Sequence, residues 1–252
     1  MENPEFHHGT DMRSSYWDAQ APLFAKLSEG VSSYVLGIPD IGRAFKGENR
    51  KAACIDDRLT GNLRLAGLGI LLPKEEARAI LKQMKPEILC WHPGCGAAAA
   101  AYDRLSPEEQ ATYGSPDAYA KAFAGEMAHE LGLPPAERAN VEPEGFHPTR
   151  VVYYDGTGDF DPSLLDETMP PGFVVSRRYM DEELSKETVD FSLGIAIGDH
   201  GFGNRIGPGS EVLFIAIGND SADVEKLKRE LTEVASRHSG KAKVDGFVAP
   251  PR

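Results

Sequence analysis

Two short segments of this chain combine cysteine, histidine and carboxylate side chains at spacings that suit a metal ion. His92 and Cys95 flank a Pro-Gly pair at the end of a short apolar run. The Pro-Gly pair favours a turn, which can bring the imidazole and the thiol toward one ion. Cys54, Asp56 and Arg58 alternate in the second segment. If that segment is an extended strand, its three side chains share one face.

We predict that Cys54, His92 and Cys95 bind Zn²⁺. Three protein ligands leave the fourth tetrahedral position open, and zinc brings the pKa of a water bound there down to ~7. Asp56 is expected to accept a hydrogen bond from that water, while Arg58 keeps the carboxylate ionised and oriented. If Arg58 releases Asp56, the carboxylate can bind zinc itself and close the site.

Other interpretations of the same residues stay open. Cys90 lies two residues before His92 and could complete a closed Cys₃His site, but the rise of a strand places it about 7 Å further into the core. A second alternative is that no metal binds. His147 and His200 can each line the pocket or shuttle protons, although a single loop histidine is more often simply solvated.

Length and composition favour a globular protein with a sizeable core. The chain has 252 residues, 41% of them hydrophobic, and a net charge of −12. That charge argues against nucleic acid or an anionic membrane as the main partner. No apolar run approaches the length of a membrane span, and the first 15 residues do not resemble a secretory signal. We expect a cytoplasmic protein, or an organelle stroma protein whose transit peptide has been removed.

The hydrophobic pattern predicts an α/β fold with a mostly parallel central sheet, helices on both faces and an N-terminal helical arm. The arm is assigned to residues 1–45 and the zinc-binding catalytic domain to residues 46–252. A strand, a helix and a second strand in succession predict parallel pairing. Both motifs then lie at the carboxyl ends of neighbouring strands, where open α/β sheets form their sites. The predicted strands are 51–56, 87–91, 149–155, 173–176, 191–197, 211–217 and an edge strand at 244–248.

The motifs Cys54-Ile55-Asp56-Asp57-Arg58 and His92-Pro93-Gly94-Cys95-Gly96 resemble those of the β-class carbonic anhydrases. In that family the two cysteines and the histidine hold zinc, and the Asp-Arg pair controls the fourth position. The short separation of the two motifs is more similar to the limiting-carbon-dioxide-inducible protein family, a divergent branch that is usually dimeric. The resemblance implies that Cys54, His92 and Cys95 are zinc ligands, that Asp56 and Arg58 are catalytic, and that the chain forms a homodimer.

The resemblance implies reversible hydration of carbon dioxide to bicarbonate by zinc-bound hydroxide. Carbonyl sulfide and carbon disulfide are linear molecules that the same site could hydrolyse. A third possibility is a non-catalytic zinc protein that binds bicarbonate or serves in assembly, with its site kept closed by Asp56.

Overall fold

The computed structural model describes residues 8–47, 50–141 and 146–251. The first seven residues of the predicted arm lie outside these ranges. None of the helices in the described ranges is both long enough and apolar enough to cross a bilayer. The helices are α1 (His8–Glu29), α2 (Val31–Leu36), α3 (Lys74–Met84), α4 (Gly96–Tyr102), α5 (Pro107–Tyr113), α6 (Pro116–Glu130), α7 (Glu182–Ile197) and α8 (Ser221–Ser236).

In the described ranges, eight strands form two four-stranded sheets in which every pairing is parallel. The order is β2-β1-β3-β4 in the first sheet and β6-β5-β7-β8 in the second. The α/β class, the parallel pairing and the N-terminal helix are confirmed, while the single central sheet is resolved into two. The strands are β1 (Lys51–Ala53), β2 (Leu63–Arg64), β3 (Ile88–Trp91), β4 (Glu137–Arg138), β5 (Val151–Asp155), β6 (Phe173–Val175), β7 (Val212–Gly218) and β8 (Ala242–Val248).

Hydrogen bonds join the two sheets near the predicted site. The backbone N–H of Val174, in β6, donates to the carbonyl of Ile55 at 3.3 Å. The N–H of Ser176 donates to the carbonyl of Arg64, the last residue of β2, at 3.4 Å. The loop that follows β1 is therefore tied to the second sheet as well as to the first.

Helices cover both faces of the second sheet. Successive residues of its strands point to opposite sides, so each strand contributes side chains to two cores. On β7, Phe214 packs in a core with the buried residues of α8, while Ile215 packs with the helices of the arm. Phe24 of α1 and Val31 of α2 belong to that second core. The arm thus packs on the body of its own chain.

One predicted strand is wrong: residues 191–197 form the end of α7. Asp181 caps this helix by accepting a hydrogen bond from the N–H of Leu184 at 2.8 Å. Val189, Leu193 and Ala196 are fully buried at spacings of four and three residues, as one face of a helix requires. An apolar run of this length is compatible with either a strand or a buried helix. Here the helix that begins after Asp181 continues through the run.

The predicted strand–helix–strand unit is confirmed as β1, α3 and β3. Ala53 pairs with Cys90, so Cys54 and His92 both lie just beyond the carboxyl ends of adjacent parallel strands. The first strand is shorter than predicted, since it ends at Ala53 and not at Asp56. Cys54, Asp56 and Arg58 therefore lie in a loop, and strand alternation does not determine where their side chains point.

Candidate metal centre

Cys54, His92 and Cys95 come together at the ends of β1 and β3. Each offers one ligand atom, and the three atoms lie within 4.8 Å of one another. The Sγ atoms of Cys54 and Cys95 are 3.9 Å apart, and all three side chains are buried. The group can therefore hold one metal ion, although Cys54 and Cys95 are 41 residues apart in the sequence.

The hydrogen bond of His92 leaves one ring nitrogen available to a metal. Nδ1 lies 3.1 Å from the carbonyl oxygen of Pro93. Because a carbonyl only accepts, Nδ1 carries a proton, and in the neutral ring Nε2 then carries the lone pair. Nε2 is buried and has no hydrogen-bond partner among the residues that the structure describes. A ligating histidine commonly donates its other ring N–H in this way, which fixes the orientation of the ring.

The hydrogen bond between the thiols of Cys54 and Cys95 shifts their pKa values in opposite directions. A hydrogen bond with Cys95 holds the pKa of Cys54 well below its ordinary value, and His92 lowers this pKa further. The same bond with Cys54, together with burial, raises the pKa of Cys95. The backbone N–H of Gly67 also donates to the sulfur of Cys54 at 3.2 Å. One thiolate is thus already favoured, and a bound cation would displace the proton from the second.

A cavity of about 10 Å³ lies among these ligands, and it is the size of a single water or ion. Its remaining wall is largely apolar and includes Leu68, Cys90, Ala98 and Ala120. Cys90 borders the cavity but is not part of the three-residue group. Its sulfur contacts the carbonyl oxygen of Trp91 at 3.8 Å.

Asp56 and Arg58 form a bidentate ion pair beside the group of Cys54, His92 and Cys95. Nε of Arg58 donates to Oδ1 of Asp56 at 2.9 Å, and Nη2 donates to Oδ2 at 2.7 Å. Burial alone would raise the pKa of Asp56, but the hydrogen bonds of Arg58, together with the charges of His147, Arg58 and His92, outweigh it and lower this pKa to about 2. Oδ2 of Asp56 lies 3.8 Å from Nδ1 of His92. The carboxylate is thus ionised, next to the group and engaged by Arg58.

Arg64, at the end of β2, holds the loop that carries these residues. Its side chain is almost completely buried, and its guanidinium donates to four backbone carbonyls. Nη1 reaches the carbonyl of Cys54 at 2.9 Å and that of Asp56 at 3.3 Å. The other two acceptors are the carbonyls of Leu59 and Gly61. Residues 54–56 were predicted to continue the strand, and hydrogen bonds from this buried guanidinium hold them in a loop instead.

Gly67, in the segment after β2, lies against Cys54 and Cys95. Gly67 and Leu68 have left-handed backbone conformations, with φ of 52° and 59°. A Cβ atom on Gly67 would lie 2.9 Å from Cβ of Ala97 and 3.6 Å from the sulfur of Cys95. Glycine is needed at this position because a larger residue would clash with the helix that begins after Cys95.

Asp57 has no role in the sequence motifs and His147 resembles an ordinary loop histidine, yet the structure places both beside Asp56. Nδ1 of His147 lies 2.6 Å from Oδ1 of Asp57 and 3.9 Å from Oδ1 of Asp56. Asp56, Asp57 and His147 form a second group whose ligand-type atoms lie within 4.8 Å of one another. His200 is exposed, and its backbone carbonyl accepts the N–H of His147 at 2.8 Å. A histidine 90 residues from its partner carries no local signal of this contact.

Comparison with known proteins found no match to this chain among family descriptions, curated proteins or solved structures.

Proposed function

We propose that this protein is a zinc enzyme that catalyses the reversible hydration of carbon dioxide, as the resemblance to the β-class carbonic anhydrases implies. The observation that carries the proposal is the buried group of Cys54, His92 and Cys95, with the ion-paired Asp56 beside it. These four residues and Arg58 are the ones that the resemblance assigns to the site.

The donor set supports zinc as the metal. Thiolates and imidazole suit zinc, whereas Mg²⁺ and Ca²⁺ prefer oxygen ligands. Two sulfurs, each about 2.3 Å from one tetrahedral ion, are about 3.8 Å apart. The observed separation of 3.9 Å between the sulfurs of Cys54 and Cys95 matches this value. With three protein ligands, zinc would activate a water for attack near neutral pH.

Asp56 and Arg58 give the site a fixed hydrogen-bond acceptor. A carboxylate with a pKa of about 2 stays ionised at neutral pH and can accept a hydrogen bond from the reacting water. Arg58 occupies both carboxylate oxygens, which favours the arrangement in which Asp56 does not itself bind the metal. This arrangement supports an open site over a closed one.

The apolar surroundings favour a small, uncharged substrate. Leu68, Ala98 and Ala120 line the cavity beside the ligands, and none of them offers a side-chain hydrogen bond. Carbon dioxide fits this description. Carbonyl sulfide and carbon disulfide have the same shape, so both are alternative substrates.

Carbon dioxide hydration by the zinc-loaded protein, followed by stopped flow with a pH indicator, tests the proposal. We expect activity in the parent, and its loss in Asp56→Ala and Cys95→Ser. Activity on carbonyl sulfide or carbon disulfide alone would identify a hydrolase on the same site. An inactive parent with one zinc per chain would favour a non-catalytic bicarbonate-binding or assembly protein.

The homodimer is likewise a proposal that comes from the family resemblance. Exposed apolar side chains offer area for such contacts, among them Leu36, which is 85% exposed, and Phe191. Sedimentation equilibrium would give twice the mass of the chain if the dimer forms.

A further inference from the structure

An apolar surface with one exposed aromatic side chain lies along α7. Phe191 is 38% exposed, although phenylalanine is one of the residues most often buried. Leu184 lies two turns earlier on the same face of the helix and is half-buried. Both residues line a cavity of about 260 Å³ together with Leu71 and Leu72. Exposed apolar area beside such a concavity is typical of a surface that another protein covers.

A second depression extends this surface. It measures about 570 Å³, shares Leu72 with the first cavity and is lined by Tyr113, Tyr119 and Phe123. The ring centroids of Tyr113 and Tyr119 are 4.8 Å apart, and both residues are half-buried. Aromatic residues are enriched in protein interfaces. Two adjoining depressions around Leu72 therefore suit a protein partner better than a single small molecule.

The first cavity carries one positive and one negative residue. Arg104, in the turn after α4, and Glu187 of α7 both line it, and both are exposed. Neither forms an ion pair with any residue in the described ranges. In the second depression, Lys74 and Glu126 already pair with each other. The charges of Arg104 and Glu187 are thus available to another molecule.

A second copy of the same chain is complementary to this surface. In a dimer with two-fold symmetry, the same face of each copy meets that of the other. Arg104 of one copy then lies opposite Glu187 of the other, and the reciprocal contact forms at the same time. Each chain has a net charge of −12, but the cavity is lined by one charge of each sign. Two copies can therefore meet here without opposing like charges.

We propose that two copies of this chain associate through this surface, with Phe191 of each copy packed into the cavity of the other. Arg104 and Glu187 pair twice across the two-fold axis. This inference rests on the homodimer that belongs to the proposed function, and it assigns the interface of that dimer. Aromatic side chains at the centre of an interface commonly carry much of its affinity, and charged pairs at the rim fix the orientation.

Sedimentation equilibrium of the zinc-loaded chain and its Phe191→Asp variant tests the apolar contact. We expect the dissociation constant of the dimer to rise at least about 100-fold, because each dimer loses two buried aromatic contacts. Leu36→Asp is the matched control, since Leu36 is 85% exposed and lies on the arm, which packs on the opposite face of the second sheet from α7. This control should keep the dissociation constant within about twofold of the parent value.

Charge reversal tests the contact between Arg104 and Glu187. Arg104→Glu alone opposes two negative residues across the axis, and Glu187→Arg alone opposes two positive ones. We expect each single variant to raise the dissociation constant about 10-fold or more. Glu187→Arg also makes each copy less negative, so an effect of net charge alone would strengthen its dimer instead.

An equimolar mixture of these two single variants should dimerise as tightly as the parent. In the mixed dimer both contacts again join opposite charges, whereas mixing cannot correct a defect that lies within one chain. Because the substituted side chains are exposed, the variants should keep the parent zinc content and helix content. Should Phe191→Asp lose helix content, the mixture decides alone, since it changes no apolar residue.

Two results would overturn the inference: a mixture that stays as dissociated as its components, and single variants that all dimerise like the parent. Loss of the dimer in Leu36→Asp with none in Phe191→Asp would place the interface on the arm. A monomeric parent refutes the proposed homodimer itself, whereas a dimeric parent with unaffected variants refutes only the assigned interface. Carbon dioxide hydration enters neither measurement, so an inactive parent leaves this test intact.

Discussion

Nη1 of Arg64 donates to the backbone carbonyl of Cys54 at 2.9 Å, so a buried guanidinium holds the chain at one of the proposed zinc ligands. Arg64 also reaches the carbonyl of Asp56. The loop after β1 has little regular secondary structure, and these hydrogen bonds give its carbonyls the partners that a longer strand would have provided. The position of the site therefore depends on a residue that is not part of either motif.

Replacing Arg64 with methionine should destabilise the protein and weaken the site. Its acceptor carbonyls, including those of Cys54 and Asp56, would lose their donor inside the protein. We expect the free energy of unfolding to fall by about 3 kcal/mol or more, and zinc affinity to fall about 10- to 100-fold. Urea unfolding and competition with a chelator measure these two quantities.

Arg138→Met is the matched control for that change. Arg138 is an exposed arginine on β4 of the same sheet. Its replacement should alter the free energy of unfolding by less than about 0.5 kcal/mol. Equal effects of the two substitutions would contradict the role given to Arg64.

Gly67→Ala should weaken zinc binding by crowding the helix that follows Cys95. The new Cβ would lie 2.8 Å from Ile70 and 2.9 Å from Ala97, at a position where φ is 52°. We expect about 1 to 3 kcal/mol of lost stability and a measurable drop in zinc affinity in a chelator competition.

Gly114→Ala separates backbone strain from crowding. Gly114 also has a positive φ, of 75°, but a Cβ atom added there would meet no atom of the described residues within 4 Å, apart from its chain neighbours. This variant should lose some stability and no zinc affinity. If it lost as much zinc affinity as Gly67→Ala, the contact with Ala97 would not be the cause.

The pair of Asp56 and Arg58 should make stability depend on pH in the acid range. The pKa of Asp56 is about 2 in the folded chain, against an ordinary value of 3.8. A lowered folded pKa contributes stability that is complete above the unfolded value and is lost as the pH falls from about 4 to about 2. The contribution is about 2 kcal/mol at neutral pH.

This contribution is best measured in a Cys95→Ser background, where loss of metal in acid does not add to the effect. The free energy of unfolding of Cys95→Ser should exceed that of Cys95→Ser with Asp56→Asn at pH 7. The difference should shrink toward zero near pH 2. A difference that stayed constant across this range would show that the charge of Asp56 is not what stabilises the loop.

Much of the fold was predictable because several of its strands are short apolar runs bounded by turn residues, whereas β2 (Leu63–Arg64) and β4 (Glu137–Arg138) have no such run and were not predicted. The run at 211–217 is an example, since β7 spans Val212–Gly218, one residue further along the chain. Residues 191–197 were not predictable on the same basis. Their apolar character serves a buried helix face as well as it would serve a strand, and the deciding signal is the Asp181 cap ten residues earlier.

The candidate site divides in a similar way. Cys54, His92 and Cys95 could be brought together from sequence, because cysteine and histidine at the ends of adjacent parallel strands must lie close. Arg64 and His147 could not. A fully buried arginine is rare, and the contact of His147 with Asp57 depends on how the second sheet packs against the loop after β1.

Cys54→Ser should remove the bound metal, whereas Cys90→Ser should not. Both cysteines are buried and both border the same cavity, but only Cys54 belongs to the three-residue group. We expect Cys90→Ser to retain one zinc per chain and Cys54→Ser to retain almost none, as measured by elemental analysis after dialysis. Loss of zinc from Cys90→Ser would indicate the closed Cys₃His site.

X-ray absorption at the zinc edge of the purified protein tests the central claim most directly. If Cys54, His92 and Cys95 bind the ion and leave one position open, the spectrum should show two sulfurs at about 2.3 Å and two nitrogen or oxygen neighbours at about 2.0 to 2.1 Å. Three sulfurs, no sulfur, or a protein that retains no zinc when zinc is supplied would contradict it.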